Sequence, residues 1–145
     1  SFNDDMTARF FLSKATGIDY SEAFFDLIAS VYDDYGRIRA VFAVEFFNGF
    51  DAHINVAVDD PRFARKNALK AIFTGIFSRA TRVTALIDPR NKRAIKAAAA
   101  IGFRREGTMR RGLDGKRDAA VMGLLEEDCR LFHVKHKEHV DGISA

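Results

Sequence analysis

Hydrophobic and polar positions divide the first half of the chain into strand-like segments. Residues 24–32 and 37–47 are rich in β-branched and aromatic residues, which suit a half-buried sheet surface, and turn-forming residues separate them. The pair Asn48-Gly49 is a strong hairpin signal, and Asp51–Val58 then alternates polar and apolar residues with a period of two. These segments predict a three-stranded antiparallel meander.

After Pro61 the pattern takes the period of a helix. Proline is tolerated near a helix start, so we predict a helix that begins there and buries one face. Its apolar positions are Ala68, Leu69, Ile72, Phe73, Ile76, Phe77 and Ala80. Arg82–Ile87 is short and β-branched and predicts a strand, whereas residues 91–101 carry five alanines before Gly102 and predict a second helix.

Both ends of the chain carry weaker patterns. Residues 6–15 are compatible with a short helix. Residues 103–113 and 118–125 flank the turn pair Asp114-Gly115 and predict a terminal hairpin, and the charged tail after them is helix or coil. The order of elements is an α+β plan, in which crossover helices flank a mixed central sheet. No repeat, linker or low-complexity stretch interrupts it, so we expect a single domain over residues 1–145.

Composition fits a soluble globular protein. The 145 residues are 48% hydrophobic and 30% charged, away from the composition of disordered chains. Phenylalanine supplies 14 aromatic residues, tyrosine three and tryptophan none, so we expect most phenylalanines in the core.

Charge and cysteine content exclude several classes of protein. A net charge of +3 is too small to indicate nucleic-acid binding. The single cysteine, Cys129, forms no internal disulfide, which fits a cytoplasmic location. No apolar run approaches the roughly 20 residues that span a bilayer, and we expect no membrane insertion.

The second half of the chain contains a recognisable string of residues, from DPRNKRAIKAAAAIGFRREGTMRR to LDGKRDAAVMGLL. Asn91 opens the second predicted helix, Ala94 follows three residues later, and Gly102-Phe103 enters the last strands. This string resembles the GCN5-related N-acetyltransferases, the GNAT superfamily. Further positions are similar to ribosomal-protein N-terminal acetyltransferases and to GNAT-like proteins of phages and prophages: Glu106, Gly107, Arg110, Gly115 and Asp118.

The resemblance implies transfer of an acetyl group from acetyl-CoA to an amine. In that family acyl-CoA lies in a gap where the strand before the long helix, here Asp51–Val58, separates from the next, here Val83–Ile87. The backbone of Val56, Ala57 and Val58 would then pair with the pantetheine arm as an added strand does.

The resemblance also implies that the pyrophosphate binds at the start of the long helix, where N–H groups are free and the helix dipole favours anions. The family motif there contains glycines, whereas this chain has none between Gly49 and Gly75. Cationic side chains beside the free N–H groups could replace them; a plain solvated basic turn is the alternative. The candidate residues are Arg62, Arg65, Lys66, Asn67 and Ala68.

Asn91 has two readings. Its side chain would cap the second helix in any fold. The resemblance adds a hydrogen bond to the CoA arm, with Ala94 beside it. Seven residues after Asn91 the family often has a tyrosine that protonates the departing thiolate, and here that position is Ala98.

A general base is needed to deprotonate the amine, and the predicted sheet offers candidates. His53 titrates near neutrality when unperturbed and is the first choice, with Glu45 second. The alternative is a hydrogen-bonded strand histidine without a catalytic task. Strand alternation places Asp51, His53, Asn55 and Ala57 on one face, opposite Ala52, Ile54, Val56 and Val58.

Two other features carry no site. His133, His136 and His139 recur every third residue in a lysine-rich tail, without the cysteines or carboxylates typical of a metal centre, so we expect no bound metal. Cys129 has no histidine partner by motif.

The sequence leaves function and assembly partly open. Its leading hypothesis is an acetyl-CoA-dependent N-acetyltransferase whose acceptor is a protein N-terminus or a small amine. The second hypothesis is a GNAT-fold structural or interaction protein of phage or prophage type that has lost catalysis. Binding of nucleic acid ranks last. The oligomeric state is not determined, and a homodimer stays open.

Overall fold

A computed structural model describes residues 2–132, with side chains from residue 5 onward. The first half contains helix α1 (Phe2–Thr16) and strands β1 (Leu27–Tyr32), β2 (Ile38–Phe46) and β3 (Asp51–Val58). The second half contains helix α2 (Lys66–Phe77), strand β4 (Arg82–Ile87), helix α3 (Lys92–Ile101) and strands β5 (Arg104–Met109) and β6 (Ala119–Leu125).

The six strands form one mixed sheet in the order β1-β2-β3-β4-β6-β5. The β3/β4 pair is parallel and the other neighbouring pairs are antiparallel. Helix α2 makes the crossover that a parallel pair requires. The predicted α+β plan and the antiparallel meander are therefore confirmed.

Helices cover the two faces of the sheet unequally. Helices α2 and α3 pack on one face over the larger core, which includes Phe42, Phe73, Ile76, Val83 and Met122. Helix α1 lies on the other face, where Ala8 and Leu12 contact a smaller core built on β2 and β3. It contacts β1, β2 and β3.

The predicted start of α2 at Pro61 is wrong. Pro61–Phe63 forms a separate 3-10 turn, in which the Asp60 side chain accepts from the N–H of Arg62 and the N–H of Ala64 donates to the Pro61 carbonyl. Because this turn closes on itself, the helix begins afresh at Lys66.

Other boundaries also differ from those predicted. Strand β1 begins at Leu27 rather than residue 24, because Arg9 binds the carbonyls of Tyr20 and Ala23 and holds the preceding loop on α1. Strand β5 ends at Met109, and Arg111 adopts a positive φ of 55° in the turn that follows.

The expectation that most phenylalanines are core residues holds only in part. Phe42, Phe73 and Phe103 are fully buried, and several others pack against the cores with partial exposure. Of the phenylalanines between residues 5 and 132, four are exposed because they lie on α1, in the loop before β1 and in the β2–β3 turn, where no second layer covers them: Phe10, Phe24, Phe47 and Phe50.

Among the described helices, none has the length and apolar character needed to cross a membrane. The histidines of the tail, His133, His136 and His139, lie outside the described residues.

Candidate functional site

Strands β3 and β4 pair over only part of their length. Their register begins with Asp51 opposite Arg82 and ends with His53 opposite Thr84, although both strands continue. In the described part of the chain, no strand pairs with the β4-facing edge of β3 beyond His53. The divergence that the resemblance implied between these two strands is therefore present.

Alternation along β3 determines which backbone groups face this opening. The carbonyl of Asp51 accepts from the N–H of Phe47, the residue after β2, and the N–H of Asp59 donates to the carbonyl of Arg39 in β2. Successive residues point their polar groups to opposite sides of a strand, so odd-numbered residues pair with β2 and even-numbered residues face β4. The N–H of Ile54 completes the last pair by donating to the Thr84 carbonyl, so the groups that face the opening are the Ile54 carbonyl and the polar groups of Val56 and Val58.

The side chains of β3 divide between the two faces as predicted. Ala52 and Ile54 lie in the core under α2 and α3, whereas Ala57 is buried under α1 and its backbone pairs with β2. Ala57 therefore contributes neither backbone nor side chain to the opening. Val56 and Val58 are 42% and 36% exposed despite being apolar, and they form an uncovered floor beside it.

The N-terminus of α2 has free backbone donors. Arg65 is the N-cap residue and makes no side-chain capping bond, and the first helical bond runs from Leu69 N to the Arg65 carbonyl. Among residues 2–132, no group accepts from the N–H groups of Lys66, Asn67 and Ala68. Lys66 and Asn67 are exposed, so these donors are open to solvent despite the missing glycines.

The cations around this helix start differ in their availability. Arg62 binds Asp60 through Nη2 at 2.6 Å and Nε at 3.0 Å. The Arg62 hydrogen bonds lower the pKa of Asp60 to about 2, and the Asp60 carboxylate raises the pKa of Arg62. No described ion pair includes Arg65 or Lys66, and Arg65 Nε donates to the Arg62 carbonyl at 2.9 Å. Arg65 and Lys66 are thus the cations that remain uncompensated.

Asn91 acts as the N-cap of α3, since its Oδ1 accepts from the Ala94 N–H at 3.1 Å. This contact is the capping role that any fold would give the residue, and it leaves the side-chain amide free to donate. Ala98 is buried in α3 and supplies no hydroxyl.

His53 lies on the α1 face, at the last pair before β3 and β4 separate. Its Nε2 is 3.1 Å from Asp51 Oδ2, and its ring stacks on Phe47 with centroids 4.6 Å apart and an interplanar angle of 8°. Glu45 is directly opposite on β2 and points to the same face. The structure therefore brings both predicted bases to the narrow end of the opening.

A chain of side-chain contacts continues from Asp51 across the sheet. Thr84 Oγ1 donates to Asp51 Oδ1 at 2.8 Å and accepts from Arg82 Nε and Nη2 at 3.2 and 3.1 Å. Arg82 Nη2 donates to Glu106 Oε1 at 2.9 Å, which raises the pKa of Arg82. Gly123 lies beneath these two side chains, and a Cβ there would overlap the Glu106 carboxylate.

No sequence pattern indicates a role for Tyr20. This residue lies in the loop after α1, and its hydroxyl donates to Asn55 Oδ1 on β3 at 3.0 Å. Partial burial raises the pKa of the phenol, and Arg9 and Ser13 bind the backbone of Tyr20. No spacing rule connects positions 20 and 55, so only the fold could place this hydroxyl beside β3.

Other candidate features lie apart from the opening. Cys129 is a buried free thiol whose pKa is raised by desolvation. A depression of about 470 Å³ lies between α1 and β1, beside Arg9 and Ile28. Within the described residues, no three histidine, cysteine or carboxylate side chains are grouped as a metal would require.

Strands β3 and β4 form a parallel pair that separates, and the N-terminus of α2 beside them is uncapped. These two features define the class of the molecule: it has the fold of the GNAT acetyltransferases. A candidate phosphinothricin N-acetyltransferase has a TM-score of 0.62 at 20% identity, over 84% of this chain and 90% of that one. The spermidine/spermine N-acetyltransferase of Vibrio cholerae has a TM-score of 0.58 at 12% identity, over 74% and 71%.

The ribosomal-protein-S5-alanine acetyltransferase of Vibrio fischeri has a TM-score of 0.53 at 18% identity over 67% of this chain, which spans 59% of the length of that enzyme. No protein-family model and no curated protein sequence matches the chain. These likenesses establish the fold.

Proposed function

We propose that this protein binds acetyl-CoA between β3 and β4 and transfers the acetyl group to an amine. The observation that carries the proposal is the end of β3/β4 pairing at His53, beyond which the Ile54 carbonyl and the backbone polar groups of Val56 and Val58 are unpaired beside an open α2 N-terminus. An amide-rich arm can pair with such an edge, and a diphosphate with such a helix end.

The dimensions of the opening suit this ligand. Residues 54–58 of β3 span about 13 Å. The pantetheine arm contains about as many bonds as four residues of extended chain and spans about 14 Å. A diphosphate at Lys66, Asn67 and Ala68 would therefore place the thioester at the narrow end of the opening, beside His53.

The chemistry needs a neutral amine, a polarised thioester carbonyl and a stable leaving group. In the proposed reaction His53 takes a proton from the acceptor ammonium, and the amine nitrogen attacks the thioester carbon. A backbone N–H of the open β3 edge stabilises the oxyanion, and the C–S bond then breaks. Ala98 offers no proton, so the CoA thiolate leaves as such, and water carries to it the proton that the attacking nitrogen loses as the amide forms. Glu45 is the second candidate base.

The class of acceptor, an amine, is proposed from the substrates for which solved structures with this fold are named. The solved structures with this fold include enzymes named for ribosomal-protein S5 alanine, spermidine/spermine and phosphinothricin, all of them amines. A matching test panel contains a peptide with an N-terminal alanine, spermidine and phosphinothricin.

Calorimetric titration with acetyl-CoA tests binding, and release of free CoA thiol in the presence of the amine panel tests transfer. We expect binding with an affinity better than about 100 μM, which corresponds to roughly 5.5 kcal/mol. Absence of binding at millimolar acetyl-CoA would remove the proposal.

A second candidate is a GNAT-fold binding protein without catalysis. Two observations favour it: no glycine lies between Gly49 and Gly75, and Ala98 occupies the usual tyrosine position. Binding of acetyl-CoA without thiol release for any amine would select this alternative.

Location, domain number and nucleic-acid binding are inferred from composition, cysteine content and ion pairing. We infer a single cytoplasmic domain, supported by one unpaired cysteine and a uniform composition. We also infer that nucleic acid is not a ligand, because most described arginines pair with carboxylates or backbone groups.

A further inference from the structure

We propose that the side chains of Glu106, Arg82, Thr84 and Asp51 form a positioning relay that holds His53 in one tautomer, with the proton on Nε2 and Nδ1 free to accept the proton of the acceptor amine. This inference rests on the proposed function, in which His53 is the base. The relay crosses strands β3, β4 and β5 on the face that carries α1.

The tautomer follows from the contact between His53 and Asp51. An ionised carboxylate only accepts hydrogen bonds, so the nitrogen 3.1 Å from Asp51 Oδ2 must carry the proton. A neutral imidazole has one N–H, and its other nitrogen is then a free acceptor. When Nδ1 takes up a proton, the imidazolium keeps its bond to Asp51 and gains an ion pair.

Phe47 fixes the plane of the imidazole. The two rings are nearly parallel, with an interplanar angle of 8° at 4.6 Å. The hydrogen bond to Asp51 sets the rotation of the ring and the stacking sets its tilt, so both degrees of freedom are restrained.

The Thr84 hydroxyl sets the direction of the hydrogen bonds between Arg82 and Asp51. Arg82 presents only donors, so the hydroxyl must accept from Arg82 and donate its single proton to Asp51. Thr84 is 9% exposed, and removing its hydroxyl would leave Asp51 Oδ1 without this donor and with Arg82 Nε, 3.5 Å away, as its remaining cationic neighbour.

Gly123 allows the far end of the relay to lie flat on β6. A Cβ at this position would overlap the Glu106 carboxylate and lie 2.6 Å from Arg82 Nη2. Both neighbours are flexible side-chain ends, so alanine would displace them without moving the strand. Gly107 on β5 provides the matched control, because a Cβ there meets no atom within 4 Å.

The other groups near His53 do not replace Asp51. Glu45 faces it from β2, and no described hydrogen bond joins the two side chains. Tyr20 on the α1–β1 loop donates to Asn55 instead.

The test is the tautomer of His53 in the full-length protein, read from long-range ¹H–¹⁵N correlations and assigned with His53→Gln. We expect the Nε2–H tautomer to exceed the other by at least about tenfold. Gly123→Ala and Thr84→Val should reduce that ratio several-fold and lower kcat for acetyl transfer, with acetyl-CoA affinity unchanged. Gly107→Ala and Thr84→Ser should match the parent protein.

Two results would overturn the relay: an Nδ1–H tautomer in the parent protein, or an unchanged tautomer ratio in both Gly123→Ala and Thr84→Val. Failure of the proposed function would look different, because the parent protein would then either not bind acetyl-CoA or bind it without thiol release for any amine, whatever the tautomer.

Discussion

The backbone conformation of Gly102 makes this position intolerant of a side chain. It ends α3 with a φ of 124°, and its N–H donates to the carbonyls of Ala98 and Ala99. A Cβ at this position would overlap the backbone carbonyl of Asp128, which is less able to move than a side chain.

We therefore predict that Gly102→Ala lowers the free energy of unfolding by about 2 kcal/mol or more, from the strained φ and the backbone overlap together. Urea denaturation measures the change. Gly49→Ala is the control, because its added Cβ meets open space, and it should stay within about 0.5 kcal/mol of the parent. Equal stabilities for the two variants would contradict this account.

Single residues of the site were predictable only where local chemistry sets their position. Asn91 was identified as a cap because capping depends on a few neighbouring residues, and it does cap α3. Alternation placed His53 and Asp51 on one face for the same reason. The contacts of Tyr20 with Asn55 and of Arg82 with Glu106 join residues far apart in sequence, so no periodicity could indicate them.

At the scale of elements, the start of α2 is the proposed anion site. Lys66, Asn67 and Ala68 have open N–H groups, and Arg65 and Lys66 have no described ion pair. Charge-assisted hydrogen bonds to a phosphate contribute roughly 1.5–3 kcal/mol each.

The double variant Arg65→Glu, Lys66→Glu should therefore weaken acetyl-CoA binding at least about tenfold. Calorimetry measures the affinity. The matched control is Lys70→Glu, an exposed lysine one turn further along the same helix, and its effect should be less than about threefold. The site is misplaced if the control weakens binding as much as the double variant.

Element bounds were predictable where a single pattern governs a segment. Asp51–Val58 and Arg82–Ile87 match the predicted strands, because alternation and β-branched residues act over the whole of each. The start of α2 was missed because the side chain of Asp60 closes a separate turn at Pro61, and helical periodicity carries no trace of that competing contact. The separation of β3 from β4 was predictable only from the resemblance to the GNAT superfamily, because pairing between distant strands leaves no local pattern in the sequence.

At the scale of the whole molecule, two carboxylates in the loops make stability sensitive to acid. Hydrogen bonds from Arg62 lower the pKa of Asp60 to about 2, and the backbone N–H groups of Arg117 and Lys116 do the same for Asp114. Their pKa values lie below the ordinary value of 3.8, so their contribution is complete above about pH 4 and is lost as the pH falls toward 2.

Urea midpoints between pH 5 and pH 2.5 should fall for the parent protein. They should fall less steeply for Asp114→Asn, whose amide oxygen still accepts from the two N–H groups but does not titrate in this range. The same slope for both proteins would show that Asp114 contributes nothing to acid sensitivity.

The central claim is that acetyl-CoA completes the unpaired edge of β3, and residue-resolved amide hydrogen exchange tests it most directly. In the free protein, the amides of Val56 and Val58 should exchange quickly, whereas those of Asn55 and Ala57 are protected by β2 and that of Ile54 by β4. Saturating acetyl-CoA should slow the first two by at least about tenfold and leave the other three unchanged. Bound acetyl-CoA that leaves the exchange of both edge amides unaltered would contradict the account.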